Sequence, residues 1–148
     1  MRLLIQRVSK AKVTVEGEIT GEISKGLLVF LGVAEEDTEA ICIEMAEKTA
    51  RMRIFEDENG KMNLDIDQVS GSILVVSQFT LFADTRKGNR PNFTSAAKPE
   101  KAKKLYEKFI VDLKQLLGEN RVAEGVFGAM MEVELINDGP VTIWVDSC

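Results

Sequence analysis

The run Ser77-Gln78-Phe79-Thr80-Leu81 brings three hydrogen-bonding side chains to the end of an apolar stretch, Ser72 to Phe82. Such groups at the mouth of a buried strand are costly unless they are paired or put to use. Strand alternation sets Ser77 and Phe79 on one face and Gln78 and Thr80 on the other. A Ser or Thr hydroxyl is a poor nucleophile without a base, and the chain contains no histidine to act as one. The same absence excludes Ser-His-Asp and Cys-His catalysis, His-containing metal sites and imidazole pH switching. Lysine is the alternative local activator. On these residues alone, a structural and a catalytic role stand level.

Two further segments carry candidate chemistry. Between Arg86 and Lys108, eight basic residues (Arg86, Lys87, Arg90, Lys98, Lys101, Lys103, Lys104 and Lys108) face only Glu100 and Glu107, a local charge of +6. The whole chain is −5, which leaves −11 for the remainder. A basic loop and helix on an acidic body suits local contact with a phosphate backbone while discouraging indiscriminate adhesion to nucleic acid, DNA included. From charge alone, a solvated lysine-rich helix face is the favoured reading. In Asn137-Asp138-Gly139-Pro140-Val141-Thr142 the Gly-Pro step reads as a turn, and the base rate of cis X–Pro bonds, roughly 5–6%, favours trans.

The elements around these segments follow from periodicity. At 148 residues, 45% hydrophobic and 29% charged, the chain reads as one domain spanning 1–148, able to fold without a metal or disulfide. Leu3, Ile5, Val13 and Val15 alternate with polar neighbours as strand residues on one face. Glu16-Gly17-Glu18 is a turn, with a returning strand from Ile19 to Ile23. Gly26 to Val33 is a continuous apolar run, as in a strand covered on both faces. Ile41, Met45, Thr49 and Met52 mark a helix capped by Asp37 or Thr38.

Glu56 to Gly60 is a polar turn without the ligand spacing of a calcium loop. Pro99 opens a second helix, with Ala102, Leu105, Phe109, Leu113 and Leu116 as its buried stripe and Gly118 as its stop. Met130 to Ile136 and Val141 to Val145 read as a hairpin joined by Asn137 to Pro140. Strands interrupted by two helices predict an α+β fold, mostly antiparallel or mixed, rather than a doubly wound one.

Cys42 reads as a small core residue, and Cys148, the last residue, as frayed; two cysteines are too few for a thiolate zinc site. No metal or cofactor is expected. The first residues lack the pattern of a signal peptide, and no run reaches the roughly 20 apolar residues of a membrane span. A cytoplasmic protein without a membrane partner is the expectation.

Taken together, Gln6-Arg7-Val8, the region from Gly17-Glu18-Ile19 to Gly32-Val33, Ser77-Gln78-Phe79-Thr80-Leu81 and Asn137-Asp138-Gly139-Pro140-Val141-Thr142 resemble the D-aminoacyl-tRNA deacylase family over essentially the whole chain. The resemblance implies a barrel-like α+β domain that pairs as a homodimer. It implies hydrolysis of the ester between a D-amino acid and the 3′-terminal ribose of tRNA, and tolerance of glycine, including glycine mischarged on the alanine tRNA. It also implies a cis Gly139-Pro140 bond whose carbonyls enter the partner's pocket, with Arg7 holding the turn.

In that scheme the turn receives the substrate's ammonium and rejects an L-residue by collision with its Cβ. Ser77, Gln78, Phe79 and Thr80 form the catalytic segment, with the Phe79 backbone N–H and the Gln78 side chain stabilising the oxyanion. The tRNA's own 2′-hydroxyl helps to activate water. Phe127 and Met131 flank the terminal adenosine, Ala102 lies near the same base, and the basic loop and helix meet the acceptor-stem phosphates. The alternatives are a non-catalytic module that binds the tRNA 3′ end or a D-amino acid, and an esterase using Thr80 as nucleophile.

Overall fold

Alternating apolar side chains at the start of the chain build the long strand around which the rest is arranged. A computed structural model describes residues 1–147, so the expectation for Cys148 lies outside the described residues. The strands are β1 (Arg2–Val15), β2 (Glu18–Ile23), β3 (Gly26–Gly32), the short pair β4 (Phe55–Glu56) and β5 (Met62–Leu64), β6 (Ser72–Ser77), β7 (Val122–Glu124) and β8 (Glu132–Asp146). The helices are α1 (Glu39–Arg51) and α2 (Pro99–Leu117).

One edge of β1 pairs antiparallel with β3 over Arg2 to Val8 and with β2 over Ala11 to Val15, while β8 runs antiparallel along its other edge. The parallel strands β6 and β7 then extend the sheet from β3, giving the order β2-β1-β3-β6-β7 with β8 on β1. Because β2 also packs against β6 and β7, the mixed sheet curls into a nearly closed barrel. This is the α+β architecture with two main helices that periodicity predicts, in the barrel-like form that the resemblance implies.

Two cores result. Leu3, Ile5, Leu27, Val29, Ile73 and Val75 face the helices, whereas Val8, Val13, Leu28, Leu74 and Val76 fill the other side of the sheet. Strands β3 and β6 are thus buried on both faces, which explains their unbroken apolar runs. The expectation that Leu3, Ile5, Val13 and Val15 share one face fails. The register of β1 against β8 shifts between Gln6 and Lys10, and that irregularity moves the later residues to the opposite core.

Thr38 caps α1, its Oγ1 accepting from the Ile41 N–H at 3.3 Å. Met45, Ala46 and Thr49 bury its inner face, and Cys42 lies fully buried beside them. Desolvation pushes the Cys42 thiol up to about 12. Pro99 opens α2 as predicted, and Leu105, Tyr106, Phe109, Ile110 and Leu113 form its buried stripe. Leu116, expected in that stripe, is exposed in the last turn. Asp57 folds the polar turn on itself, accepting from the N–H groups of Asn59 and Lys61 at 2.8 and 3.1 Å. Among the described residues, no helix is long and apolar enough to cross a membrane.

Candidate active site

The ladder between β3 and β6 stops at the pair Leu31↔Ser77, and the Gln78 N–H adds one last bond to the Leu31 carbonyl at 2.8 Å. Beyond it the chain has no strand to pair with. Phe79–Phe82 therefore coils into a 3-10 turn, and the predicted strand to Phe82 is shorter by five residues. The turn sits close on the end of β3. A Cβ at Gly32 would lie 3.0 Å from the Gln78 carbonyl oxygen, so the glycine makes this approach possible.

The predicted alternation of Ser77 to Thr80 is lost with the strand. Phe79 and Thr80 are both exposed, and the Gln78 side-chain amide donates to Thr80 Oγ1. Among the described residues, no carboxylate is bonded to Thr80, and the chain holds no histidine. At the start of a 3-10 turn the first N–H groups have no acceptor within the turn, which leaves the Phe79 N–H as a donor for a ligand.

Arg2 clamps this turn, a role that the sequence did not reveal. Its guanidinium stacks 4.5 Å from the Phe82 ring centroid, and its Nη1 donates to the Leu81 carbonyl at 3.0 Å. Asp146 holds its Nε at 3.2 Å.

The strand end opens into a cavity of about 730 Å3. Six of the expected site residues line it: Ser77, Gln78, Phe79, Ala102, Phe127 and Met131. Thr80 is bonded to the cavity wall through Gln78 without lining it. Lys98, singled out only as part of the basic segment, lines the cavity too, as do Phe93 and Met130, which were not anticipated as site residues. Phe93 packs edge-on against Phe79 at 5.2 Å, which ties the far loop to the 3-10 turn. Phe127 rests against Tyr106 at 5.6 Å, and the Tyr106 hydroxyl donates to the Val75 carbonyl at 3.2 Å. Burial raises the Tyr106 phenol above its ordinary range, so it acts as a neutral prop. Among the described residues, no Asp or Glu lines the cavity.

Arg7, Gly139 and Pro140 come together elsewhere. The expected hairpin does not form, because β8 keeps its direction from Glu132 to Asp146. Its pairing passes from Asn137↔Val8 to Thr142↔Gln6, and the residues between loop out as a wide bulge. Arg7 is buried beneath it, donating from Nε to the Asp138 carbonyl at 3.1 Å and from Nη1 to the Ile54 carbonyl at 2.7 Å. Across the neck, the Asn137 amide donates to the carbonyls of Arg7 at 3.0 Å and Val141 at 2.9 Å.

The Gly139-Pro140 bond is cis, against the base rate and in line with the resemblance. Gly139 has φ +130°, and a Cβ there would come within 2.8 Å of Val141 Cγ2 and 3.1 Å of Arg7 Nη2. The tip, Asp138 to Pro140, is exposed and does not line the cavity of its own protomer.

The basic segment divides in two. Along α2, Lys103 pairs with Glu107, Lys104 with Glu39, Lys108 with Asp112, and Lys114 with Glu119 and Glu124. Lys101 donates to the Glu35 carbonyl. In the preceding loop, Arg86 is held by Asp84 through a two-pronged contact of 2.9 and 2.7 Å, which keeps the Asp84 carboxyl down at about 2. Among the described residues, Lys87, Arg90 and Lys98 form no ion pair.

Comparison with known proteins bears on the family and the fold. The family model described as D-Tyr-tRNA(Tyr) deacylase matches residues 4–146. A D-aminoacyl-tRNA deacylase from Koribacter versatilis (strain Ellin345) is 57% identical over 147 residues, covering 99% of this chain and 97% of that protein. A solved structure described as c-Myc DNA Unwinding Element Binding Protein superposes with a TM-score of 0.94 at 40% identity, covering 99% of this chain and 98% of the other. A second, described as a probable eukaryotic D-amino acid tRNA deacylase, has a TM-score of 0.85 at 16% identity and 97% coverage of both chains, a likeness of fold.

Proposed function

This chain belongs to the D-Tyr-tRNA(Tyr) deacylase family, and we propose that it hydrolyses the ester of D-aminoacyl-tRNA, releasing free D-amino acid and tRNA. One observation carries the mechanistic reading: the cavity is walled by apolar side chains and hydrogen-bonding groups, with no carboxylate or imidazole among the described residues that line it. A site of that kind suits an ester that is already activated, where fixed donors stabilise charge and the substrate supplies its own proton relay.

Water attacks the ester carbonyl carbon, and the Phe79 N–H stabilises the resulting oxyanion with help from the Gln78 amide. The bond to the ribose 3′ oxygen then breaks. The neighbouring 2′-hydroxyl of the tRNA takes the proton from water and passes one to the departing oxygen. Thr80 orders Gln78 through their hydrogen bond and is not the nucleophile. Phe127 offers a face for the terminal adenine, with Met131 and Ala102 on the adjoining wall.

Selectivity for the D-hand requires a second copy of the chain. The Gly139-Pro140 turn of one protomer enters the cavity of the other, where its carbonyls receive the substrate ammonium and exclude the Cβ of an L-residue. Support comes from the exposure of that turn, its rigid seat on Arg7 and Asn137, and its absence from its own cavity. The outer edge of β8, which pairs with no strand among the described residues and bears the exposed Ile136 and Trp144, suits such pairing. The setting is cytoplasmic, and the nucleic-acid partner is tRNA rather than DNA, consistent with a net charge of −5.

The test is hydrolysis of D-tyrosyl-, L-tyrosyl- and glycyl-tRNA, with a D-tyrosyl-tRNA lacking the terminal 2′-hydroxyl as the fourth substrate. Turnover of the D- and glycyl-esters, with the L-ester spared and the deoxy substrate slowed, is the expected result. Binding of the tRNA end without ester loss would leave the non-catalytic module as the better reading.

A further inference from the structure

We propose that Lys87 and Arg90, at the tip of the loop between Asp84 and Asn92, grip the phosphodiester backbone of the RNA just behind its aminoacylated end, while the lysines of α2 do not. The proposal rests on the deacylase reading and adds which part of the basic segment meets the RNA.

The loop has a fixed base next to the reaction centre. It leaves directly from the 3-10 turn Phe79–Phe82 and is closed by paired backbone bonds between Asp84 and Asn92, at 2.7 and 2.9 Å. It returns at Phe93, which lines the cavity and packs on Phe79. Seven residues lie between the bridging pair, so the tip stays within roughly 12 Å of its base even when fully extended.

Charge then selects the tip over the helix. The five lysines from Lys101 to Lys114 are outnumbered by six carboxylates, three on α2 (Glu100, Glu107 and Asp112) and three beside it (Glu39, Glu119 and Glu124). That face presents little net field to a polyanion. The loop from Asp84 to Asn92 carries three cations and one carboxylate, and Asp84 is spent on Arg86. Lys87 and Arg90 are exposed and unpaired among the described residues, and the unpaired Lys98 lines the cavity itself. Free cations therefore lead from the tip to the site on an otherwise acidic surface, the arrangement that attracts and orients a phosphate backbone.

The experiment compares two D-tyrosyl esters, one on full-length tRNA and one on adenosine alone, in wild type, Lys87→Ser/Arg90→Ser and Lys103→Ser/Lys104→Ser. The loop variant is expected to raise KM for the tRNA ester on the order of tenfold with kcat held, and to leave hydrolysis of the adenosine ester unchanged. The slope of log kcat/KM against log salt should flatten by about 1.4–1.8, the loss of two phosphate contacts. The helix variant should keep the wild-type slope.

An unmoved slope in the loop variant, an equal loss on both esters, or a comparable flattening in the helix variant overturns the contact while leaving the deacylase reading intact. Wild-type inertness toward both esters removes the deacylase reading and the contact with it.

Discussion

The Arg7 guanidinium joins the Asp138 carbonyl, at 3.1 Å, to the Ile54 carbonyl, at 2.7 Å on its far side. A buried side chain on β1 thus fixes the base of the bulge that carries Gly139 and Pro140. Replacing Arg7 with Lys keeps the charge but loses the fork that reaches both carbonyls. The expected outcome is a stability loss of about 1–3 kcal/mol, from one buried carbonyl left unpaired. Hydrolysis of L-tyrosyl-tRNA should rise relative to the D-ester. Denaturant titration reads the first effect and the ratio of the two hydrolysis rates the second; unchanged chiral discrimination contradicts the assigned role.

The Phe79 N–H can be removed without removing the turn, because proline suits the first position of a helical turn. Phe79→Pro is expected to lower kcat by about 10²–10³, the scale of one oxyanion donor. Phe79→Ala, which keeps the N–H, should lose much less. Single-turnover rates on D-tyrosyl-tRNA compare the two, and equal losses would assign the effect to the ring instead.

Thr80→Val removes the hydroxyl while conserving volume. Turnover within a few-fold of wild type is expected, because among the described residues no base is bonded to Thr80 and its oxygen accepts from Gln78. Abolished turnover would restore Thr80 as a nucleophile.

Cys42 makes the fold sensitive to alkali. Its thiol is pushed up to about 12 by burial, from an ordinary value of 9.0. The folded state therefore holds a proton that the unfolded chain releases. This contribution is complete below about pH 9 and is lost as the pH rises toward 12. Stability measured from pH 8 to 11 should fall less steeply in Cys42→Ala than in wild type, after allowance for its lower starting point. The native thiol should also resist alkylation until the protein unfolds.

These expectations draw unevenly on sequence and structure. The apolar runs of β3 and β6 and the proline start of α2 were legible because periodicity and composition report burial directly. Of the residues lining the cavity, Ser77, Gln78 and Phe79 were legible as a motif, whereas Ala102, Phe127 and Met131 came only from the family resemblance. The 3-10 turn was not legible, because nothing in Phe79–Phe82 says that the ladder between β3 and β6 stops at Leu31↔Ser77.

The bulge in β8 was misread for a similar reason. Asn137-Asp138-Gly139-Pro140 has the composition of a reversal, and only the continued pairing with β1 shows that the strand resumes its course. The service of Arg2 to Phe82 and of Phe93 to Phe79 depends on contacts between distant segments, for which a single sequence carries no signal.

Arg2 and Arg7 stand on the same strand, one seated under the donor turn and the other under the Gly-Pro loop. Their spacing is set by the pleat of β1, so a shift of that strand displaces both seats at once. On the proposed roles, a substitution that slides or bends β1 is expected to slow ester cleavage and weaken the choice of handedness together, where a change at either arginine alone would touch one of them.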